Sequence, residues 1–224
     1  MKADPIRYCL LLPENPDQWF LFERVPRDEL RNGGRAYTSK IVEAVVRNLG
    51  PFKYDDETSE KLLADLDQQV MARDEARVKD EEIMVKYFGQ WSGSQRHGRG
   101  RQIWPDGTRY DGYWAIGEHN GYGRIVYPDG SYYIGFFKDN QRYGQGKLIR
   151  SDETSYDGVW SNDEQNGSGT EVWQDGRFEG QYQNGFRHGH GKFIMFDGSS
   201  YEGDFAQNMM EGQGKYLWPN GSNY

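Results

Sequence analysis

The sequence predicts a mostly β protein, an elongated single-layer antiparallel meander of six β-hairpins, preceded by an α-helical N-terminal extension of mixed α+β character. Three observations predict it. From Tyr87 onward the chain repeats with a period of 23 residues, in rows that begin at Tyr87, Tyr110, Tyr133, Tyr156, Phe178 and Tyr201. Columns one, three and five of each row alternate aromatic, glycine and aromatic residues with others, which sets them on one face of a strand. Between rows stand Asp106-Gly107, Asp129-Gly130, Asp175-Gly176, Asp197-Gly198 and Asn220-Gly221, dipeptides that accept positive φ in tight hairpin turns. A fixed period of this length signals a stacked array of one supersecondary unit.

The first strand of each row carries Gly89, Gly112, Gly135, Gly158, Gly180 or Gly203 at column three. Column five is Trp91, Trp114, Phe137, Trp160, Tyr182 and Phe205. The second strand carries two further glycine columns, as in Gly98 and Gly100 of row one, then an apolar column: Ile103, Val126, Ile149, Val172, Ile194 and Leu217. Glycine weakens a strand, so three regularly placed glycines per row require a packing reason. The expectation is room: where backbone lacks a Cβ, the ring of an aromatic from a neighbouring strand lies flat on it. Row three departs from the pattern with Asp152-Glu153 at its turn and Arg150 in place of an aromatic, and row four is one residue short, which predicts a local irregularity there.

The column pattern YxGxW followed by GxGxxxxxxDG resembles the MORN repeat, and the resemblance covers residues 87–224. It implies an interaction array without chemistry of its own. Similar arrays occur in axonemal and other cytoskeletal proteins, in proteins of membrane junctions, and as appendages on lipid kinases and a lysine methyltransferase.

Composition narrows the function classes. Hydrophobic content is low at 35% while aromatic content is 15%, which suits a protein that buries rings on glycine. The net charge is −8; residues 1–86 hold 14 basic and 18 acidic side chains and residues 87–224 hold 13 and 17. Neither half is basic, which speaks against nucleic acid as a partner. The single cysteine, Cys9, has no internal disulfide partner, so a reducing, intracellular and cytoplasmic setting is expected. The apolar run Ile6–Leu12 is too short and too charged for a signal peptide or a membrane span.

Residues 1–56 read as a docking segment. Two apolar runs, Ile6–Leu12 and Trp19–Val25, flank PENPD and are expected to pair as strands. Thr38 or Ser39 caps a helix whose stripe is Ile41, Val42, Val45, Val46 and Leu49, ended by Gly50-Pro51. Residues 57–86 read as one long charged helix from Thr58 to Lys86 that either lies over the first edge of the array, which occupies residues 87–224, or projects from it, with partial covering the favoured expectation. The other edge, near Tyr224, is the candidate for homo-association or for a partner strand.

Catalysis finds no support in the sequence, and no cofactor is expected. His188 and His190 share a strand face, but nothing converges on them as a metal site would require. GHGRGR and GHGKF lack the Ser or Thr and the following helix of a phosphate loop. Cys9 sits among apolar residues, as an inert thiol does, and no G-x-S-x-G elbow occurs. Two features carry functional expectations. The aromatic column Trp91, Trp114, Phe137, Trp160, Tyr182 and Phe205 is either a partner-binding face or wholly used in stacking on glycine. The basic column fifteen, Arg101, Arg124, Lys147, Lys192 and Lys215, is either an anion-binding ladder for lipid headgroups or locally paired with Asp111, Asp157, Glu179 and Glu202 of column two. The expected function is a noncatalytic scaffold that joins protein partners in a multi-subunit assembly. The family resemblance points to a cytoskeletal, ciliary or axonemal, setting. The alternatives are a module binding anionic phospholipid membrane and an accessory subunit of a separate enzyme.

Overall fold

The computed structural model describes residues 8–11, 19–24, 39–54 and 84–224, in two compact units, 1–130 and 131–224. The first holds β1 (Tyr8–Leu11), β2 (Trp19–Arg24), α1 (Lys40–Leu49), β3 (Met84–Ser92), β4 (Gln95–Ile103), β5 (Arg109–Ala115) and β6 (Glu118–Val126). Its strands pair antiparallel, each with its neighbour in sequence. The second holds β7 (Tyr132–Lys138), β8 (Gln141–Ile149), β9 (Ser155–Ser161), β10 (Glu164–Trp173), β11 (Gly176–Gln183), β12 (Phe186–Met195), β13 (Ser200–Ala206) and β14 (Met209–Leu217), again an open antiparallel meander. Rows one and two are the hairpins β3–β4 and β5–β6. Rows three to six are the four hairpins of the second unit.

The two apolar runs near the N-terminus do pair, with Tyr8 opposite Phe22 and Leu11 opposite Trp19. The first edge of the array differs from expectation. A strand takes it rather than a helix: β2 pairs with β3 from Trp19↔Gly89 to Arg24↔Met84. Ladder bonds satisfy the N–H and C=O groups of an edge more fully than a helix laid over it. β3 also begins at Met84, so Met84–Lys86, expected at the end of the long helix, are extended. The remainder of that expected helix lies outside the described residues. Helix α1 starts where Ser39 caps it, its Oγ accepting from Val42 N at 3.4 Å, and stops at Gly50, whose φ of +73° suits glycine.

Strand register explains the glycines. Gly89 lies opposite Gly100, and Gly100 opposite Gly112, which in turn faces Gly123. In the second unit the same pairing carries Gly135, Gly146, Gly158, Gly169, Gly180, Gly191, Gly203 and Gly214 from strand to strand. Each unit thus has a lane of bare backbone across its strands, and the column-one ring of each row lies over one glycine pair. Tyr110 covers Gly112 on its own strand and Gly123 on the next. Tyr110, Tyr133, Tyr156 and Phe178 are fully buried there.

The third glycine column has a different reason. Gly98, Gly121, Gly144, Gly167, Gly189 and Gly212 all have positive φ, between 62° and 96°. They sit where register shifts: one residue of the first strand, such as Gln90, faces three of the second between Gly89↔Gly100 and Trp91↔Arg96. This bulge needs a left-handed residue, which glycine supplies without strain. The expectation of room therefore holds for two glycine columns, and conformation accounts for the third.

Two further features are absent from the sequence expectation. A two-residue turn closes each hairpin, with both residues at positive φ in Ile116-Gly117, Asp139-Asn140, Asn162-Asp163, Asn184-Gly185 and Gln207-Asn208. The second of these residues also stitches rows together: Gly117 N donates to Arg96 O, Asp163 N to Arg142 O, Gly185 N to Gln165 O and Asn208 N to Arg187 O. These bonds replace ladder bonds that the bulge interrupts. The short fourth row is absorbed in its outer turn, where Trp173 lies opposite Gly176 across only Gln174 and Asp175.

Candidate functional site

The column-one and column-five rings interlock. Tyr87 meets Trp91 of its own row edge-on at 5.1 Å and Trp114 of the next row at 5.1 Å. In the second unit the ladder runs from Tyr133 to Trp160, Tyr156, Tyr182, Phe178, Phe205 and Tyr201, with centroids 5.0–5.5 Å apart and near-perpendicular planes. Such T-shaped pairs set the positive ring edge against a negative face. The hydroxyls are satisfied in turn: Tyr87, Tyr110, Tyr133, Tyr156 and Tyr201 each donate to the carbonyl three residues on, at 2.9–3.2 Å. Burial raises the phenol pKa of Tyr87, Tyr110 and Tyr156 well above the usual range, so these rings remain neutral.

The expected partner-binding column is thereby placed inside. Trp114, Phe137, Trp160, Tyr182 and Phe205 are buried, and Trp91 is half-buried. Two indoles are further fixed by donation from Nε1, Trp114 to Gly100 O at 3.3 Å and Trp160 to Gly146 O at 3.0 Å. The column-five rings pack edge-on between column-one rings, and it is the column-one rings that lie on glycine.

A third element of the ladder has no counterpart in the sequence expectation. Column ten places a guanidinium over the rings: Arg96 lies 4.8 Å from Trp114, Arg142 lies 4.2 Å from Trp160, and Arg187 lies 5.1 Å from Phe178. In row two the position holds His119, whose imidazole stacks on Tyr110 at 3.8 Å and meets Trp114 at 4.4 Å. The recurrence of Arg at one column beside the aromatic columns is the signal that reveals it.

The basic column faces the other side of the sheet and is paired across strands. Lys147 lies 3.5 Å from Asp157 and Lys192 lies 3.0 Å from Glu202, while Lys215 stands opposite Glu202 in register. Arg101 and Arg124 are buried, and with Arg109 they converge on the fully buried Asp111, at 2.6, 3.2 and 2.8 Å. Burial alone would raise the Asp111 pKa; Arg101, Arg109 and Arg124 overcome it and hold the carboxyl far below the carboxylate range. Column fifteen is thus paired locally with column two at Arg101, Arg124, Lys147 and Lys192, the two arginines being buried.

Other candidates stay dispersed. His190 is exposed, with Nδ1 3.6 Å from Asp204 Oδ1, and His188 is exposed beside it. No group of three His, Cys, Asp or Glu among the described residues is arranged to hold a metal ion. A shallow hollow of about 270 Å³ is lined by Gln183, Asn184, Phe186, His188 and Gln207, amides with one ring and one imidazole. Outward-facing apolar residues are the remaining feature. Phe186 and Met209 occupy column nine in consecutive rows and are 48% and 62% exposed, where rows one to four have Gln95, Glu118, Gln141 and Glu164.

The repeated ring-on-glycine hairpin is matched by the family model of the MORN repeat at residues 87–109, 110–132, 133–155, 156–176, 178–200 and 201–223. The chain belongs to the MORN-repeat family. No curated protein matches it. MORN repeats are generally protein- or membrane-binding modules, and the geometry of this array is compatible with a noncatalytic role. No helix of the described residues in this MORN protein is long and apolar enough to cross a membrane.

Proposed function

We propose that this MORN protein is a noncatalytic scaffold that joins protein partners within a larger cytoplasmic, cytoskeletal assembly, ciliary or axonemal in setting. The observation that carries the scaffold reading is the change of polarity along column nine. Phe186 and Met209 stand two strand spacings, about 10 Å, apart and turn apolar side chains outward, while the ring columns that would otherwise account for apolar surface are turned in. Two exposed apolar anchors on a rigid sheet suit a protein partner better than headgroups, because Lys147 and Lys192 of the same unit already face carboxylates. The cytoskeletal setting rests on the company MORN arrays keep, which is analogy. Self-association along β14 belongs to the same reading, since Met209, Met210 and Leu217 are exposed on it.

Affinity capture from native extract with the full chain and with a Phe186→Ser, Met209→Ser variant tests this reading. Cytoskeletal proteins retained by the first and lost by the second are the expected result. Retention unchanged by the variant, or binding to anionic vesicles in place of proteins, would overturn it.

A further inference from the structure

Residues 50–54 leave the end of α1 and lie on the sheet face opposite the ring ladder, across rows one and two. Phe52 and Tyr54 are 6% and 8% exposed, while Pro51 and Lys53 point outward, the alternation of an extended segment that reads a surface with every second side chain. Arg124 Nη1 donates to Gly50 O at 2.9 Å and Tyr54 Oη donates to Gly100 O at 3.2 Å. The Tyr54 ring meets Tyr113 edge-on at 5.4 Å, and Phe52 stacks on Tyr122 at 5.8 Å. None of these contacts requires chain continuity: a carbonyl on a guanidinium, a phenol on a carbonyl and two rings in two seats are what a separate peptide would offer. The preceding helix adds little grip, since Val42 is the one buried residue of α1 and Ile41 is exposed.

Charge beneath the segment favours acidic residues after the two rings. Arg101, Arg109 and Arg124 converge on one carboxylate, Asp111, and Arg124 Nε is buried without a hydrogen-bond partner. Arg99 lies over the Tyr54 ring at 5.8 Å. Arg99, Arg101 and Arg109 thus lie within electrostatic reach of Tyr54, and the sequence continues from Tyr54 as Asp55-Asp56-Glu57.

We propose that rows one and two carry a recognition site for a linear protein segment of the pattern aromatic-x-aromatic followed by acidic residues, and that Phe52-Lys53-Tyr54 is the chain's own occupant of its two ring seats. A partner segment of the same pattern binds by displacing this occupant. The site rests on the scaffold reading and deepens it, giving the partner a chemistry; it is built from residues of the first unit and uses neither Phe186 nor Met209, so loss of one leaves the other testable. Tethering makes the resident segment a competitor at high effective concentration, so an open site binds the free segment more tightly than the unaltered chain does.

The test uses a fluorescent synthetic peptide of residues 50–57 and the full chain. The Phe52→Ala, Tyr54→Ala variant empties the two ring seats and should bind one peptide per chain, about tenfold or more tighter than the unaltered protein. Adding Tyr113→Ser and Tyr122→Ser should abolish binding, and a peptide with Lys at its three acidic positions should bind at least about tenfold more weakly. No binding to the folded double variant, equal binding to both chains, or indifference to the acidic residues would overturn the proposal. If circular dichroism shows that the double variant does not fold, hydrogen exchange of the unaltered chain replaces it. Saturating peptide should then speed exchange at residues 50–54, and unchanged exchange there would equally overturn the proposal.

Discussion

Tyr110 lies across Gly123 of the neighbouring strand so closely that a Cβ at Gly123 would stand 2.7 Å from Tyr110 Cε2. The same ring covers Gly112, and Tyr110 is fully buried as a result. Ring and glycine are one packing unit, so enlarging the glycine must lift the ring off its neighbours Trp114 and His119. Gly123→Ala is expected to destabilise the first unit by about 1–3 kcal/mol, the range for overpacking. Gly185→Ala is the control: it has open space around it and a φ of +79°, so it incurs backbone strain alone, about 1 kcal/mol. Urea unfolding followed by tryptophan fluorescence ranks the two.

Row five differs from the others by one oxygen atom. Phe178 stands where five rows have a tyrosine whose hydroxyl donates to the carbonyl three residues on, and the equivalent carbonyl here is that of Gln181. Phe178→Tyr should add that bond in an otherwise unchanged seat and stabilise the chain by about 0.5–1.5 kcal/mol. A higher urea midpoint with an unchanged slope is the expected result; a lower midpoint would mean that the seat is tighter in row five.

Much of this was legible because the fold repeats. Period, strand alternation and outer turns were visible as columns, and Ser39 and Gly50 marked both ends of α1. What escaped the sequence was either conformational or relational. Gly98 and Gly100 look alike in sequence, yet one is needed for its φ and the other for its missing Cβ. The inner turns escaped because no residue type is common to Ile116-Gly117, Asp139-Asn140 and Gln207-Asn208, only a backbone shape. Arg96 and Arg142 drew no expectation in the sequence; the fold brings them over the rings. The burial of Trp114 was one of two open readings, since a column of aromatics looks the same whether its rings face inward or outward.

Ile116 is strained. It holds φ +54° at the first position of an inner turn, is 69% exposed, and is branched at Cβ, where the left-handed region is most costly. Asp139, Asn162, Asn184 and Gln207 fill the equivalent positions in other rows. Ile116→Asn should relieve about 1 kcal/mol or more and raise the unfolding midpoint of the first unit. A loss of stability would show that the isoleucine makes a contact worth more than its strain.

His119 should make the first unit acid-sensitive. Burial first, and the neighbouring Arg96 second, lower its pKa to about 3, because an imidazolium pressed against Tyr110 and Trp114 has no water to solvate it. In the unfolded chain it takes up a proton near pH 6.5, so between that value and about 3 the unfolded state binds more protons than the folded one. Stability from the neutral imidazole is complete above about pH 6.5 and is lost at up to about 1.4 kcal/mol per pH unit as pH falls toward 3. Row four carries Gln165 at this column, which suggests His119→Gln as a non-titrating replacement. Unfolding midpoints at about pH 7.5 and about pH 5 should fall further for the natural chain than for the variant, the difference corresponding to about 1–2 kcal/mol. Equal falls would mean that the folded protein accepts a proton at His119, and with it that the ring stack of row two opens to water.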